Sequence, residues 1–532
     1  MSEISPTPFG KNELSATVGT FFLLSGAMTI VLTDAVAGTA LSMARLDMMG
    51  DAHASADEFA KLDYGYTAAK LIAFVLTPWL AGSFGLYRSV MVAGVIMTAA
   101  CYCAAYSTDL NLLFTIRLFQ GISGGVLLVG AQALLLSVFP KTHQPFIQSI
   151  YAIGSVVAPA TLAPYMQGWL LDKSDWSLIF LCSVPFGIAG IAMLALSPEA
   201  QEVESPRIRL DITGVALFGI AAFTLSFVLN QGNRWDWFND HAIVMATTVG
   251  TTALLIQIVR QFHSGTSATL FNFGLFRNAN FAFGIAASLA AGFALLGSSF
   301  AIPSFAVSVL KMTPTAAGSL LLPSTLMFVG SLFLTAFLTQ RLKLPGIATV
   351  PFGILGFMLA MWLLSRSSSN SGIPDMTAAI LIRGLALGFL FLSITLVTFM
   401  SLDRSLVLYG VALFSIGRQL GGLIGISFLQ TFIEDQTTYN RAVLGAHILP
   451  GREEVISRIA SLSHGLSSHG METGLASKTA VGLIDKQLLL QSTTIAFDTA
   501  FFAIALFFLG AAPFLIMWKI VIGKVLASKA QQ

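Results

Sequence analysis

Fourteen separate stretches of this chain are apolar for long enough to cross a lipid bilayer, and that leaves few folds open. They fall near 16–40, 64–81, 90–106, 112–139, 146–166, 176–196, 214–229, 242–259, 281–309, 316–339, 346–364, 376–400, 406–432 and 495–520. A helix of about 20 residues spans the hydrocarbon layer and satisfies its own backbone hydrogen bonds, which an open strand there cannot do. Only 10% of the 532 residues are charged, where a soluble domain carries about 25%. The mean hydropathy of +0.80 agrees. An all-α polytopic membrane protein follows, with both ends on one side because the number of spans is even.

Sidedness is read from the loops. Lys and Arg gather on the side of the N-terminus, among them Arg88, Lys141, Arg277, Arg341, Lys343 and Arg404, and are sparse in the alternate loops. Such a bias marks the cytoplasmic side, so both termini are expected there. The spans divide as six, two and six. The expected layout is a tail 1–15, a six-helix bundle 16–196, a linker 197–213, two extra spans 214–262, a linker 263–280, a six-helix bundle 281–520 and a tail 521–532. No cleavable signal is expected ahead of the first span. The segment 433–494 is polar and expected outside, as a solvated loop or a docking surface, with short amphipathic helices near 453–459 and 478–490.

The charges inside the spans are few. Arg117 interrupts the fourth span, and Arg117, Gln120, Gly121 and Gly124 share one helix face by their spacing. Buried charges usually face a bundle interior or a wet cavity, so this face suggests a transport path rather than the anchor of an enzyme. Lys70, Arg383 and Arg418 are the other intramembrane cations; Asp34 is the clear intramembrane carboxylate, with Asp63 at a span end. Asp34, Lys70 and Arg117 are expected at similar depth, with Arg117 as the partner of Asp34. Asp34 is then either a proton carrier, its affinity changing as helices rock, or half of a static ion pair. Lys70 either holds an anionic substrate or balances Asp63, seven residues away. Arg383-Gly384 with Gly388 in the twelfth span echoes Arg117 and its glycines, the kind of repeat from which transporters build two bundles around a midplane site.

Small residues and prolines mark the helices expected to move. The fifth span carries Gly154, Pro159 and Pro164, and the thirteenth has Gly421 and Gly422 beside Arg418. Gly85 and Arg88 form the turn after the second span. Tyr151, Phe293, Met327 and Phe391 are candidates for the lining of a substrate cavity, or else core and lipid-facing residues.

Other chemistries find no support. Lys plus Arg number 28 and Asp plus Glu 26, without a long basic run, so no nucleic-acid partner is expected. Cys101, Cys103 and Cys182 lack metal-ligand spacing and read as core. None of the seven His lies inside an apolar stretch, and no nucleotide loop appears. No cofactor, metal or enzyme activity is expected, and energy must come from an ion or substrate gradient.

Several motifs carry a resemblance. Arg117-Leu118-Phe119-Gln120-Gly121, Ala158-Pro159 with Ala163-Pro164 and Gly168, and Trp176-Ser177-Leu178-Ile179-Phe180 with Val184-Pro185 occur in order. Leu210-Asp211, Trp235-Asp236-Trp237-Phe238, Leu275-Phe276-Arg277-Asn278, Ala317-Gly318 and Arg418-Gln419-Leu420-Gly421-Gly422 continue the pattern. Together they resemble the fourteen-span drug:proton antiporters of the major facilitator superfamily, the multidrug-export permeases of the inner membrane. The resemblance implies two rocking six-helix bundles with two extra central spans, and proton-coupled efflux of drugs or other small amphipathic or organic-anion compounds. It also implies a bilayer, protons and a small-molecule substrate as partners, with a periplasmic adaptor and an outer-membrane channel as candidates. Two alternatives are an exporter of an endogenous anionic metabolite such as a siderophore, and a non-transporting membrane receptor or assembly subunit. One departure concerns the first span, where Thr33 stands at the family's Asp and Asp34 comes one residue later, about 100° around the helix. Another lies after the second span, which has Pro78, Gly82 and Ser83 in place of the usual Gly, Asp and Arg.

Overall fold

The computed structural model describes residues 9–201, 203, 209–263, 271–449 and 451–530, and no strand occurs among them. Fourteen helices have the length and composition to cross a membrane. They are α1 (Val18–Leu41), α2 (Ala56–Phe84), α3 (Leu86–Ala105), α4 (Leu110–Val138), α5 (Gln144–Lys173), α6 (Ser177–Ala195) and α7 (Ile212–Gln231). The remainder are α8 (His241–His263), α9 (Ala279–Ser308), α10 (Pro314–Gln340), α11 (Gly346–Leu364), α12 (Ile373–Phe399), α13 (Arg404–Gly445) and α14 (Thr473–Lys519). Every span read from hydropathy is present. Glu202, Glu204 and Arg207 of the first linker lie outside the described residues, as do 1–8 of the tail and 264–270 of the second linker.

Local sequence sets the ends and breaks of these helices. Ser55 caps α2 in a reciprocal box with Glu58, so the helix starts well before its apolar part. Gly85 turns the chain from α2 into α3 at φ 89°, a backbone setting that favours glycine. Asp109 caps α4 through the Leu112 amide. In α5 the stretch Ile153–Leu162 is a π-helix around Pro159. A proline has no N–H to give and crowds the carbonyl four residues back, and the wider turn relieves both.

The spans pack as two six-helix bundles, α1–α6 and α9–α14, with α7 and α8 paired and leaning on α2. Tyr64 of α2 meets Phe223 and Phe227 of α7 edge to face. The outward side of α8, with Met245, Leu255 and Val259 exposed, suits contact with lipid. The loop between α7 and α8 straps both bundles on the face away from the termini. Arg234 and Trp235 reach Asp57 at the start of α2, while Asn233 and Trp237 reach Glu434 and Thr431 on α13.

The segment 433–494 is largely helical, and the amphipathic helices expected near 453–459 and 478–490 lie within longer ones. The helix Val407–Gly445 runs 39 residues, about 58 Å at 1.5 Å per residue, and so outruns the bilayer. A separate helix, Glu453–Ser468, packs on the last helix, which begins at Thr473. Residues 433–449 contain no proline and no glycine before Gly445, so nothing ends the helix where its apolar part stops.

Candidate functional site

Three helices of the first bundle meet around one carboxylate. Asp34 on α1 is buried, with Oδ2 2.7 Å from Lys70 Nζ on α2. The Tyr66 hydroxyl, one turn earlier on α2, donates to Oδ1 at 2.7 Å. Lys70 Nζ also lies 3.1 Å from that hydroxyl, so the three groups close a triangle. Arg117 of α4 sits over the Tyr66 ring, its guanidinium carbon 4.1 Å from the centroid. It donates from one Nη to the Ala37 carbonyl at 2.8 Å and to Gln120 Oε1 at 2.9 Å. Its Nε and other Nη have no hydrogen-bond partner among the described residues.

The helices come this close because glycine faces the contact. A Cβ at Gly124 would overlap the Asp34 carboxylate, and one at Gly121 would overlap the Tyr66 carbonyl. The expected depth match of Asp34, Lys70 and Arg117 therefore holds, but the expected pairing does not. Asp34 pairs with Lys70 and Tyr66, and Arg117 has no ion-pair partner among the described residues. The ammonium reaches the carboxylate from the adjacent helix, whereas Arg117 finds a backbone carbonyl and an aromatic face nearer. Lys70 likewise does not pair with Asp63, which is half-buried.

The second bundle repeats the plan with neutral partners. Arg383 on α12 is buried and donates to Ser298 at 2.8 Å and Ser299 at 2.7 Å on α9, with Ser324 of α10 at 3.5 Å. Arg117 on the fourth helix thus reaches the first helix of its bundle, and Arg383 does the same in the other. Gly384 closes on the Ser324 carbonyl as Gly121 does on Tyr66.

Contacts cross between the bundles at both faces. On the terminal face Lys141 donates to the Met400 and Leu402 carbonyls at 2.8 and 3.1 Å. On the far face Gly168 and Pro164 of α5 lie against Pro314 and Gly318 of α10. Between them Arg418 on α13 is half-buried.

A family model described as the Major Facilitator Superfamily matches residues 21–426. The chain belongs to the Major Facilitator Superfamily. It is similar to "Multidrug export protein EmrB" of Escherichia coli K12, 24% identical over 498 residues, covering 91% of this chain and 94% of the relative. It is also similar to "Fatty acid resistance protein FarB" of Neisseria gonorrhoeae, 22% identical over 454 residues, covering 85% of this chain and 86% of the relative. The proton:xylose symporter XylE has the same fold, with a TM-score of 0.53 at 12% identity over 93% of this chain and 95% of that one. This facilitator is a multi-pass membrane transporter of small molecules and not an enzyme.

The remaining expected residues fall in several places in the facilitator. Gly154 packs on the Met28 carbonyl of α1, and Pro164 opens the helix that follows the π-turn. Gly421 and Gly422 press α13 onto Leu289 and Leu296 of α9. Arg88 is exposed on the terminal face. Of the four cavity candidates, buried Tyr151 donates to the Leu128 carbonyl at 2.8 Å. Phe293 stacks on Phe507, Phe391 packs near Phe328, and Met327 is half-buried in α10; all lie within the second bundle. Tyr66 was not among the expected site residues. Its spacing was the available signal, since Asp63, Tyr66 and Lys70 stand at i, i+3 and i+7.

Proposed function

We propose that this facilitator exports small amphipathic or organic-anion compounds by alternating access, coupled to protons that bind Asp34. One observation carries the reading. Asp34 on α1 is buried and held by two groups of another helix, so sliding of α1 against α2 makes and breaks its contacts with Lys70 and Tyr66. Arg117, on the third helix of the site, sets the potential there and fixes Tyr66 by stacking. Gly121, Gly124 and the π-turn of α5 supply close contacts and a bend about which the first bundle can move. The names of the similar proteins, a multidrug exporter and a fatty-acid resistance protein, support efflux and amphipathic cargo.

The layout belongs to the same reading, with the bundles 16–196 and 281–520 rocking, the extra spans 214–262 beside them and the linkers 197–213 and 263–280 between. The lysine and arginine bias supports cytoplasmic termini in an inner membrane. The helical outcrop of 433–494 then projects outward, where a periplasmic adaptor leading to an outer-membrane channel would dock.

The test uses inside-out vesicles with an acid lumen reported by a quenched dye. Addition of ethidium, octanoate or another panel compound should release quenching only with the wild-type protein present. A panel without effect on the gradient, together with no uptake of any compound, removes the exporter reading. An excess of buried cations favours one narrower version, a dedicated exporter of an endogenous anionic metabolite, which octanoate without ethidium would favour.

A further inference from the structure

The loop 232–240 between α7 and α8 is built to hold one shape. Trp237 folds back so that its amide donates to the Gly232 carbonyl at 2.7 Å, and a Cβ at Gly232 would overlap the Trp237 ring. Asp236 and Trp237 have φ of 53° and 51°, a left-handed setting that is costly for a residue as bulky as tryptophan. Such backbone persists only where its surroundings over-determine it, and it gathers at clamps and switches. Asn239 donates to the Asp236 carboxylate at 2.9 Å and closes the turn.

The two bundles hold this loop unequally. Toward the first, Asp57 of α2 accepts from Arg234 at 2.7 Å and from the Trp235 indole at 3.2 Å. Below it Phe227 meets both Trp235 and Tyr64 edge to face, Phe223 meets Tyr64, and a Cβ at Gly219 would touch Ile72. The seam from Asp57 to Ile72 is about 22 Å long, at ~1.5 Å per residue, so α7 is fastened along α2. Toward the second bundle the loop makes two side-chain hydrogen bonds among the described residues. Asn233 donates to Glu434 at 2.5 Å and Trp237 to Thr431 at 3.2 Å. The first is exposed to solvent, where water replaces it at small cost. Deeper, a cavity lined by Leu71, Phe218, Ala221, Gly250, Leu254 and Leu420 lies where the helix pair faces α13, so packing adds little there.

We propose that α7, α8 and their loop are a rigid extension of the first bundle, and that the loop is a hook holding α13 while the far face is shut. The assignment rests on the alternating-access reading and adds a moving part to it. Across the same face Asp172 of α5 accepts from the Thr315 amide and hydroxyl of α10, and Gly168 packs on Pro314. Separation of the bundles at this face breaks those contacts, and it must break the strap as well. The strap parts at α13, because two hydrogen bonds are more readily exchanged for water than an ion pair backed by an aromatic seam. The extra helices then travel with α2, and Thr431 and Glu434 are the catch they leave and regain in each cycle.

The experiment has two arms, both on the full-length protein with its three native cysteines replaced by serine. In the first, nitroxides at Lys61→Cys on α2 and Thr438→Cys on α13 report the gap between bundles by pulsed electron resonance in lipid nanodiscs. Adding Thr431→Val with Glu434→Ala should bring in a longer-distance population. Arg234→Ala should not, because the aromatic seam still holds α7. An unchanged distribution in the first variant, or equal opening in both, overturns the hook. In the second arm Asn233→Cys with Glu434→Cys is bridged by a reductant-cleavable bis-methanethiosulfonate linker, and vesicle transport of ethidium or octanoate is followed. Bridging should stop transport and dithiothreitol should restore it, while the same bridge between Asp57→Cys and Arg234→Cys should leave transport running. Bridged and reduced states are compared on one preparation, so folding is common to both. Transport that continues with α13 bridged, or stops equally with α2 bridged, overturns the hook. If the unbridged protein carries neither compound, the exporter reading fails, and the distance series still decides the hook.

Discussion

The ammonium of Lys70 lies 2.7 Å from the Asp34 carboxylate, and both side chains are buried between α1 and α2. Two charges held out of water in this way are mutually dependent. Losing one strands the other, and the stranded charge determines the cost.

Lys70→Met should therefore destabilise the protein by about 3–5 kcal/mol, the usual effect of breaking a buried pair. Adding Asp34→Asn to Lys70→Met should restore much of that loss, because no unpaired charge is left. Thermal unfolding of the two variants in detergent, followed by tryptophan fluorescence, checks this. A double variant no more stable than the single one would mean that the pair is not coupled.

Most of the fold was legible in the sequence, since hydropathy alone marks all fourteen spans and parity marks their relation. The charges were legible as well, because any Arg or Lys inside an apolar run stands out. Partnership was not. Asp34 and Lys70 are on different helices, and only packing decides whether Lys70 or Arg117 arrives first. Tyr66 was hidden because a tyrosine in a span is ordinary until its hydroxyl is seen on a carboxylate. In 433–494 the amphipathic pieces 453–459 and 478–490 were legible as helices, but the run of Val407–Gly445 past the bilayer was not, because its polar residues carry no hydropathy signal, although nothing in 433–444 breaks a helix. Pro159 was recognised as a disturbance, but its resolution as a π-turn depends on what α5 packs against.

Gly124 tests the close approach of α4 to α1. A methyl group at Gly124 would overlap the Asp34 carboxylate, while one at Gly510 meets nothing within 4 Å. Gly124→Ala should cost about 1–3 kcal/mol, the range for overpacking, and should abolish transport. Gly510→Ala should be silent in both respects. Folded yield and vesicle transport for the two variants provide the comparison.

Arg117→Lys should fold yet fail to transport. The guanidinium bonds a carbonyl and a glutamine while lying flat on Tyr66, and a single ammonium cannot hold all three contacts. Transport by Arg117→Lys at the wild-type rate would reduce Arg117 to a mere positive charge.

The central claim is that protons act on transport through Asp34, and reconstituted vesicles test it most directly with the near-isosteric Asp34→Asn. Two quantities are measured on the same preparation: uphill accumulation driven by an imposed pH gradient, and gradient-free exchange of labelled for unlabelled cargo. The cargo is ethidium or octanoate, whichever the wild type carries. The account predicts that Asp34→Asn loses gradient-driven accumulation and keeps exchange. Accumulation by Asp34→Asn equal to that of the wild type would contradict it.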